Sequence, residues 1–337
     1  MQLNVIKNRY IYFTVSGLFL IVSVFLLLFT KLNLGIDMTG GTQAEYSYTN
    51  TIDIEEIRTK LEQEAKTVVF EDKEVINAIN AYTISGEKSL SVIAGFDSSI
   101  ETAKLEELKN DFRTKALDIL KQSDSTITET SYTNIGKSFG DYIKNTALLT
   151  LAIAIFAIAF YLAWAFSGVA SGISVMSFSV ITIITLFHDV LIASGLYVVS
   201  SIFFPEFKID TFFVTALLTI LGYSINDTIV VFDRIRANGK NMISKNKPLD
   251  EILDVSISDT LRRSIFTSLT LFFVLLTILF FGPETISGFV LVMLYGTVVG
   301  TYSSIFIASP LLYEFNKNKK ISEIKKTEQS IEDKIVV

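Results

Sequence analysis

Six stretches of this 337-residue chain are long and apolar enough to cross a lipid bilayer, and that limits the fold more than any other feature. They lie at residues 11–29, 146–166, 173–204, 211–232, 264–281 and 286–312. A spanning helix needs about 20 mostly apolar residues to cross ~30 Å of hydrocarbon. Half of all residues are apolar, as expected of a membrane protein. The first run follows a short basic segment with Lys7 and Arg9. A signal peptide is the competing reading, but the run exceeds the usual ~7–15-residue signal core and no small-x-small cleavage site follows. The expectation is an uncleaved first span with its N-terminus in the cytosol.

Lysine and arginine orient the spans. About seven fall in 233–263, six beyond Tyr313 and two before the first span, whereas the turns at 205–208 and 282–284 hold one between them. Both termini in the cytosol then satisfies the positive-inside rule. The layout reads as a cytosolic N-terminus and first helix at 1–30, and an extracytoplasmic α+β domain at 31–145. A five-helix bundle at 146–312 follows, with a cytosolic loop at 233–263, and then a cytosolic tail at 313–337.

The large polar region between the first two spans carries about 20 acidic and 12 basic residues over 31–143. It opens on Leu34-Gly-Ile-Asp-Met-Thr-Gly-Gly-Thr42, where Gly35, Gly40 and Gly41 flank or follow Asp37 and permit tight backbone. Strand-like alternation at 43–48, 67–70, 75–84, 89–95 and 126–132 surrounds two helical patterns. One runs Ile54, Ile57, Leu61, Ala65 with Asp53 as its N-cap; the other runs Ile100, Leu105, Leu108, Phe112, Ala116, Leu120. A Ser85-Gly86 turn joins two of the strands. The order β-α-β-β-β-α-β predicts a ferredoxin-like layer, large enough for its own core and without a catalytic cluster.

Composition also excludes chemistries. There is no cysteine, a single histidine (His188), and no GxxxxGK[ST] or GxGxxG run for a nucleotide. Cofactor, metal and nucleic-acid sites are therefore not expected, and neither is an enzyme.

Charges inside the spans are few and informative. The fourth carries Tyr223, Asn226, Asp227, Val230 and Arg234 at i, i+3, i+4, i+7 and i+11, read as one face toward the bundle interior. A carboxylate at membrane depth costs roughly 2.5–3.5 kcal/mol on insertion scales, and such residues are functional candidates by default. His188-Asp189 in the third span is a secondary candidate with Tyr223; a hydrogen-bonded structural pair is the alternative. Arg262-Arg263 opens the fifth span, followed by Ser264, Thr267, Ser268 and Thr270. An arginine near a buried carboxylate would hold it ionised, and its withdrawal would favour protonation. The competing reading is two cations snorkelling at the interface. In the sixth span Gly296, Gly300 and Ser304 form a small-xxx-small seam for a neighbouring helix, within the bundle or on a partner.

Taken together these residues resemble the SecF family, the smaller membrane subunit of the SecD–SecF export complex. Gly222 to Arg236 is similar to the family's GYSxNDTIVVFDRIRE, Gly35 to Thr42 to its GxDFTGGT, Thr260-Leu-Arg-Arg-Ser264 to its TLxRT. His188-Asp189 and Gly300-Thr-Tyr-Ser-Ser304 match as well, and the resemblance covers nearly the whole chain. Ala237, Leu271, Ala165 and Lys137 depart from the pattern without touching Asp227 or Arg263. The resemblance implies an RND-type six-helix protein of the bacterial cytoplasmic membrane, pairing with SecD. It also implies work beside the SecYEG translocon and a YidC-type insertase on unfolded preprotein, in contact with membrane lipids. The energy source would be the proton or sodium gradient, with Asp227 as coupling carboxylate, Arg263 as its modulating partner and Asn226 beside them. Two other readings compete: a half-size RND-like exporter of a lipid or drug, and a purely structural assembly subunit.

Overall fold

The computed structural model describes residues 4–71, 73–84, 88–97, 99–165, 175–204, 206–243 and 247–317. The Ser85-Gly86 turn and the tail beyond 317 lie outside them. The chain divides into two compact units: Asn33–Leu148 with Ser201–Val214, and Met1–Leu32, Leu149–Ser200 and Thr215–Val337.

The first unit is an α+β layer. After a four-residue helix α2 (Ile36–Thr39), its long elements are β1 (Gly41–Ser47), α3 (Ile54–Thr67), β4 (Ile76–Ile84), β5 (Ser89–Phe96), α4 (Thr102–Ser123) and β6 (Thr128–Ile135). The sheet order is β4-β5-β1-β6, antiparallel throughout. Numbered among the four long strands this is 2-3-1-4 with two helical crossovers, the ferredoxin-like arrangement expected. The apolar stripes Ile57, Leu61, Ala65 and Phe112, Ala116, Leu120 pack on Tyr46, Leu90 and Val92. Asp53 caps α3 by accepting from the amides of Glu55 (3.0 Å) and Glu56 (3.2 Å). The expected strand at 67–70 does not join the sheet. It is the first half of a two-residue hairpin, β2 (Val69–Phe70) with β3 (Lys73–Glu74). The paired glycines each have a task. Gly40 (φ 73°) ends α2, and Gly41 (φ 132°) lies so close to the Ala94 carbonyl that a side chain has no place.

The second unit holds the helices α1 (Arg9–Phe29) and α8 (Leu249–Phe281) and the greater part of α5 (Lys137–Ala165), α6 (Val175–Phe203) and α7 (Thr211–Ile243), whose ends at 137–148, 201–203 and 211–214 belong to the first. A last span is made of α9 (Ser287–Ser303), a π-turn at Ser304–Ala308 and α10 (Ser309–Asn316). Six helices among the described residues are long and apolar enough to cross a membrane. The π-turn precedes Pro310, which has no amide hydrogen to give Phe306, so the ladder widens there instead of breaking.

The segment 233–263 differs from the loop expected of it. α7 continues to Ile243 and α8 begins at Leu249, with Pro248 at its N-cap, so most of the segment is helix. Charged residues end a membrane span without ending a helix. Arg234 ties the two extensions together through Asp259 at 2.7 Å.

Candidate functional site

α7 is organised by the helix packed against it. A side chain at Gly296 would collide with Ile220, and one at Gly300 would come within 2.9 Å of the Ser224 Cβ. One turn further, Ser304 Oγ meets Thr228 Oγ1 at 2.8 Å. The small-residue seam of α9 thus joins i, i+4 and i+8 of itself to i, i+4 and i+8 of α7, inside this chain. The buried face of α7 centres on Ser224, Thr228, Val231 and Ile235.

On one flank of the seam sits Asp189, with no exposed surface. Its Oδ1 accepts from His188 Nδ1 at 2.8 Å; its Oδ2 accepts from the hydroxyls of Ser303 (2.9 Å) and Ser224. The carboxylate selects the Nδ1–H tautomer, leaving Nε2 to accept a hydroxyl hydrogen. Two hydroxyls face it, Tyr302 at 3.0 Å and Ser16 of α1, themselves 3.2 Å apart. Residues of α6, α7 and α9 therefore meet on one fully served carboxylate, and α1 joins them through His188.

On the other flank sits Asp227, 4 % exposed. The one hydrogen bond found for it among the described residues comes from Ser268 Oγ of α8, at a long 3.4 Å. That hydroxyl has other claims: it lies 2.7 Å from the Ser264 carbonyl and 2.6 Å from Thr301 Oγ1, and it accepts from Tyr223 at 2.8 Å. Since Thr301 gives its hydrogen to the Thr297 carbonyl at 2.7 Å, one Ser268 hydrogen is divided among three acceptors. Ser264 Oγ, one turn away on the same helix, is buried with no partner found. A proton placed on Asp227 could be donated to Ser268, reversing that bond without breaking a strong one.

The other expected site residues are placed less uniformly. Tyr223 joins the Asp227 group through Ser268, as its position on the stripe suggests. Asn226 does not: it is exposed, on the side of α7 opposite the seam, in line with Thr219, Gly222 and Asp233. Arg263 and Arg262 are exposed, and Arg263 forms no ion pair with Asp227 among the described residues. Its charge reaches Asp227 only through space. Asp37 accepts from the amide and hydroxyl of Thr211, the first residue of α7. Ser16 carries no signal in the sequence, because an isolated hydroxyl in a span has no periodic pattern, and Ser224, Thr301, Tyr302 and Ser303 appear there only inside the motifs 222–236 and 300–304, with no role of their own. No group of three or more His, Asp or Glu suited to a metal occurs among the described residues.

Residues 115–318 match the family described as protein export membrane protein SecD/SecF, C-terminal, and residues 25–52 match the SecD/SecF GG motif. The chain belongs to the SecD/SecF family. Within SecD/SecF, it is 35% identical over 328 residues to the protein translocase subunit SecF of Thermobaculum terrenum, covering 97% of this chain and 98% of that one. It is 35% identical to SecF of Helicobacter pylori strain 26695 over 311 residues, 90% of this chain and 85% of that one. Among solved structures it is similar to SecDF of Thermus thermophilus, a translocon-associated membrane protein, with TM-score 0.75 and 27% identity. That alignment covers 94% of this chain and 39% of the SecDF chain, so this chain spans well under half of that protein. A second SecDF structure, in a super-membrane-facing form, aligns with TM-score 0.64 and 27% identity over 97% of this chain and 40% of that one. The GG-motif match covers Gly35, Asp37, Gly40 and Gly41; the larger match covers both carboxylate groups.

Proposed function

We propose that this chain is the SecF-type accessory subunit of the Sec translocase of the bacterial cytoplasmic membrane. It acts with SecD beside SecYEG, and with a YidC-type insertase, on preprotein late in translocation. Both termini lie in the cytosol and the α+β unit lies on the outer side, where it holds emerging chain against backsliding. The proton gradient, or a sodium gradient, supplies the energy. One charge moving through 100 mV releases about 2.3 kcal/mol, enough to bias two conformations that differ by a few kcal/mol. Asp227 is the group that takes up and releases the ion, Arg263 modulates it through space, and SecD covers the stripe that includes Asn226.

The observation that carries this reading is Asp227: a carboxylate buried in a membrane helix bundle with a long, shared hydrogen bond as its support. A buried acid kept in that condition is of little use to packing and well suited to exchange. The exposed Asn226, in line with Thr219, Gly222 and Asp233 along α7, supports a partner subunit there, because lipid would leave its amide unpaired.

The test is preprotein translocation into inverted vesicles containing SecYEG, SecD and this chain. Asp227→Asn should remove the gradient-dependent increment and leave the gradient-independent part in place. A full increment in Asp227→Asn vesicles would overturn the assignment.

A further inference from the structure

Outside the membrane networks, a group of titratable side chains lies where the segment between α6 and α7 meets the GG motif, entirely within the α+β unit. The segment is stitched to the chain before α2 as a short parallel strand. Gly35 N donates to the Ile209 carbonyl (2.9 Å), Ile209 N to the Asn33 carbonyl (2.8 Å), and Asn33 Nδ2 to the Phe207 carbonyl (2.9 Å). Beside this stitch Lys208 is 8 % exposed; its Nζ donates to Tyr82 Oη of β4 at 2.7 Å and lies 4.6 Å from the ring centre.

Two carboxylates cap the first turn of α7. Asp37 takes the amide and hydroxyl of Thr211, and Asp210 takes the amide of Phe213 at 2.8 Å. They come from separate segments, and Gly35 lets them meet: a Cβ there would stand 2.6 Å from Asp37 Oδ1 and 2.9 Å from the Asp210 Cβ. A lysine is an expensive residue to bury unless its charge has a purpose.

We infer that Asp37, Lys208 and Asp210 form a hydrogen-bonded clamp that fixes the first turn of α7 to the α+β unit, making them positioning residues for the helix that carries Asp227. The role rests on the assignment of Asp227 as the coupling carboxylate. Asp227 lies sixteen residues after Thr211 on the same helix, α7.

The charges set how firmly the clamp holds. Lys208 faces Asp210, Glu45 and Asp37; Asp210 faces Asp37 and Lys208; Tyr82 faces Glu45, Glu206 and Asp210. Burial pushes Lys208 down to about 8. Burial, with Asp37 adding to it, pushes Asp210 up to about 6. Near neutral pH both charges are retained against desolvation, which leaves the clamp closed and easily loosened.

The test compares two readouts on the full chain with SecD in lipid: hydrogen exchange of the Gly35, Ile209, Thr211 and Phe213 amides, and gradient-dependent translocation in vesicles. Lys208→Met and Asp37→Asn should speed exchange at these amides roughly tenfold, the scale of one charge-assisted hydrogen bond, and reduce the gradient-dependent increment. Lys208→Arg should restore both. Thr211→Val, which removes one hydroxyl, gives a smaller effect in the same direction should the charge variants fail to accumulate. Unchanged exchange in these variants overturns the clamp. Faster exchange with a full translocation increment overturns the positioning role. Loss of the increment in clamp variants, with Asp227→Asn unaffected, leaves the clamp standing and removes Asp227 as its target.

Discussion

Asp189 and Asp227 are both carboxylates buried in membrane helices beside the same α7–α9 seam, and they are supported in opposite ways. Asp189 has three donors for two oxygens: an imidazole and two hydroxyls. Asp227 has one hydroxyl at 3.4 Å that serves other acceptors at shorter range. A fully satisfied buried carboxylate holds helices together in one arrangement. An under-supported one can exchange a proton with little rearrangement. The difference is what the proposed roles require, a hub at Asp189 and a working site at Asp227, although sequence alone makes both look like ionisable residues in a span.

Substitutions can break that contrast. Asp189→Ala leaves His188, Ser224 and Ser303 without their shared acceptor and should cost about 3–5 kcal/mol, seen as a large fall in the thermal unfolding midpoint in detergent. Asp227→Ala should move the same midpoint by about 1 kcal/mol or less; equal losses at the two sites would erase the distinction. Gly296→Leu drives a side chain into Ile220 and should destabilise by about 1–3 kcal/mol while disturbing both networks together. Ser268→Ala removes the bond to Asp227 and should reduce gradient-dependent translocation about fivefold, near 1 kcal/mol, with little change in unfolding. Ser224→Ala should do the reverse, lowering stability and sparing coupling.

The smallest expected effect is on the clamp and follows pH. Asp210 is raised to about 6, so the native state binds more protons than the unfolded state between about 4 and 6. Its stabilisation is present below that window and lost as pH rises through 6. Lys208 is lowered to about 8, so the native state binds fewer protons from about 8 upward, and stability recovers as pH rises beyond 8. Amide exchange at Ile209 and Thr211, corrected for its intrinsic rate, should therefore be fastest between pH 6 and 8. Protection that rises steadily with pH from 4 to 8 would contradict the sign.

Much of the architecture was legible because it is written in run length and period. The six spans, both α+β helices, the Asp53 cap of α3, and the sheet strands follow from hydrophobic runs, from 3.6- and 2-residue alternation and from cap chemistry. Facing was less legible. The stripe through Tyr223, Asn226 and Asp227 reads as interior, yet Asn226 points away from the seam. In a membrane helix apolar residues suit both core and lipid, so periodicity has little contrast to reveal which side is inside. The Asp227–Arg263 pair expected from chemistry is not a contact, and α7 and α8 run on as helices where charge suggested a loop. The role of Asp37 and Lys208 depends on a connection between residues about 170 apart in sequence, which no local pattern reports.

The contrast between the two carboxylates can be observed directly by infrared difference spectroscopy of the chain with SecD in lipid, through the carbonyl stretch of a protonated carboxyl group after a pH step. One buried-carboxyl band that rises and falls with pH should be lost in Asp227→Asn and kept in Asp210→Asn, the carboxyl of the clamp that titrates nearby. No titrating band lost in Asp227→Asn would contradict the assignment of Asp227 as the group that exchanges the proton.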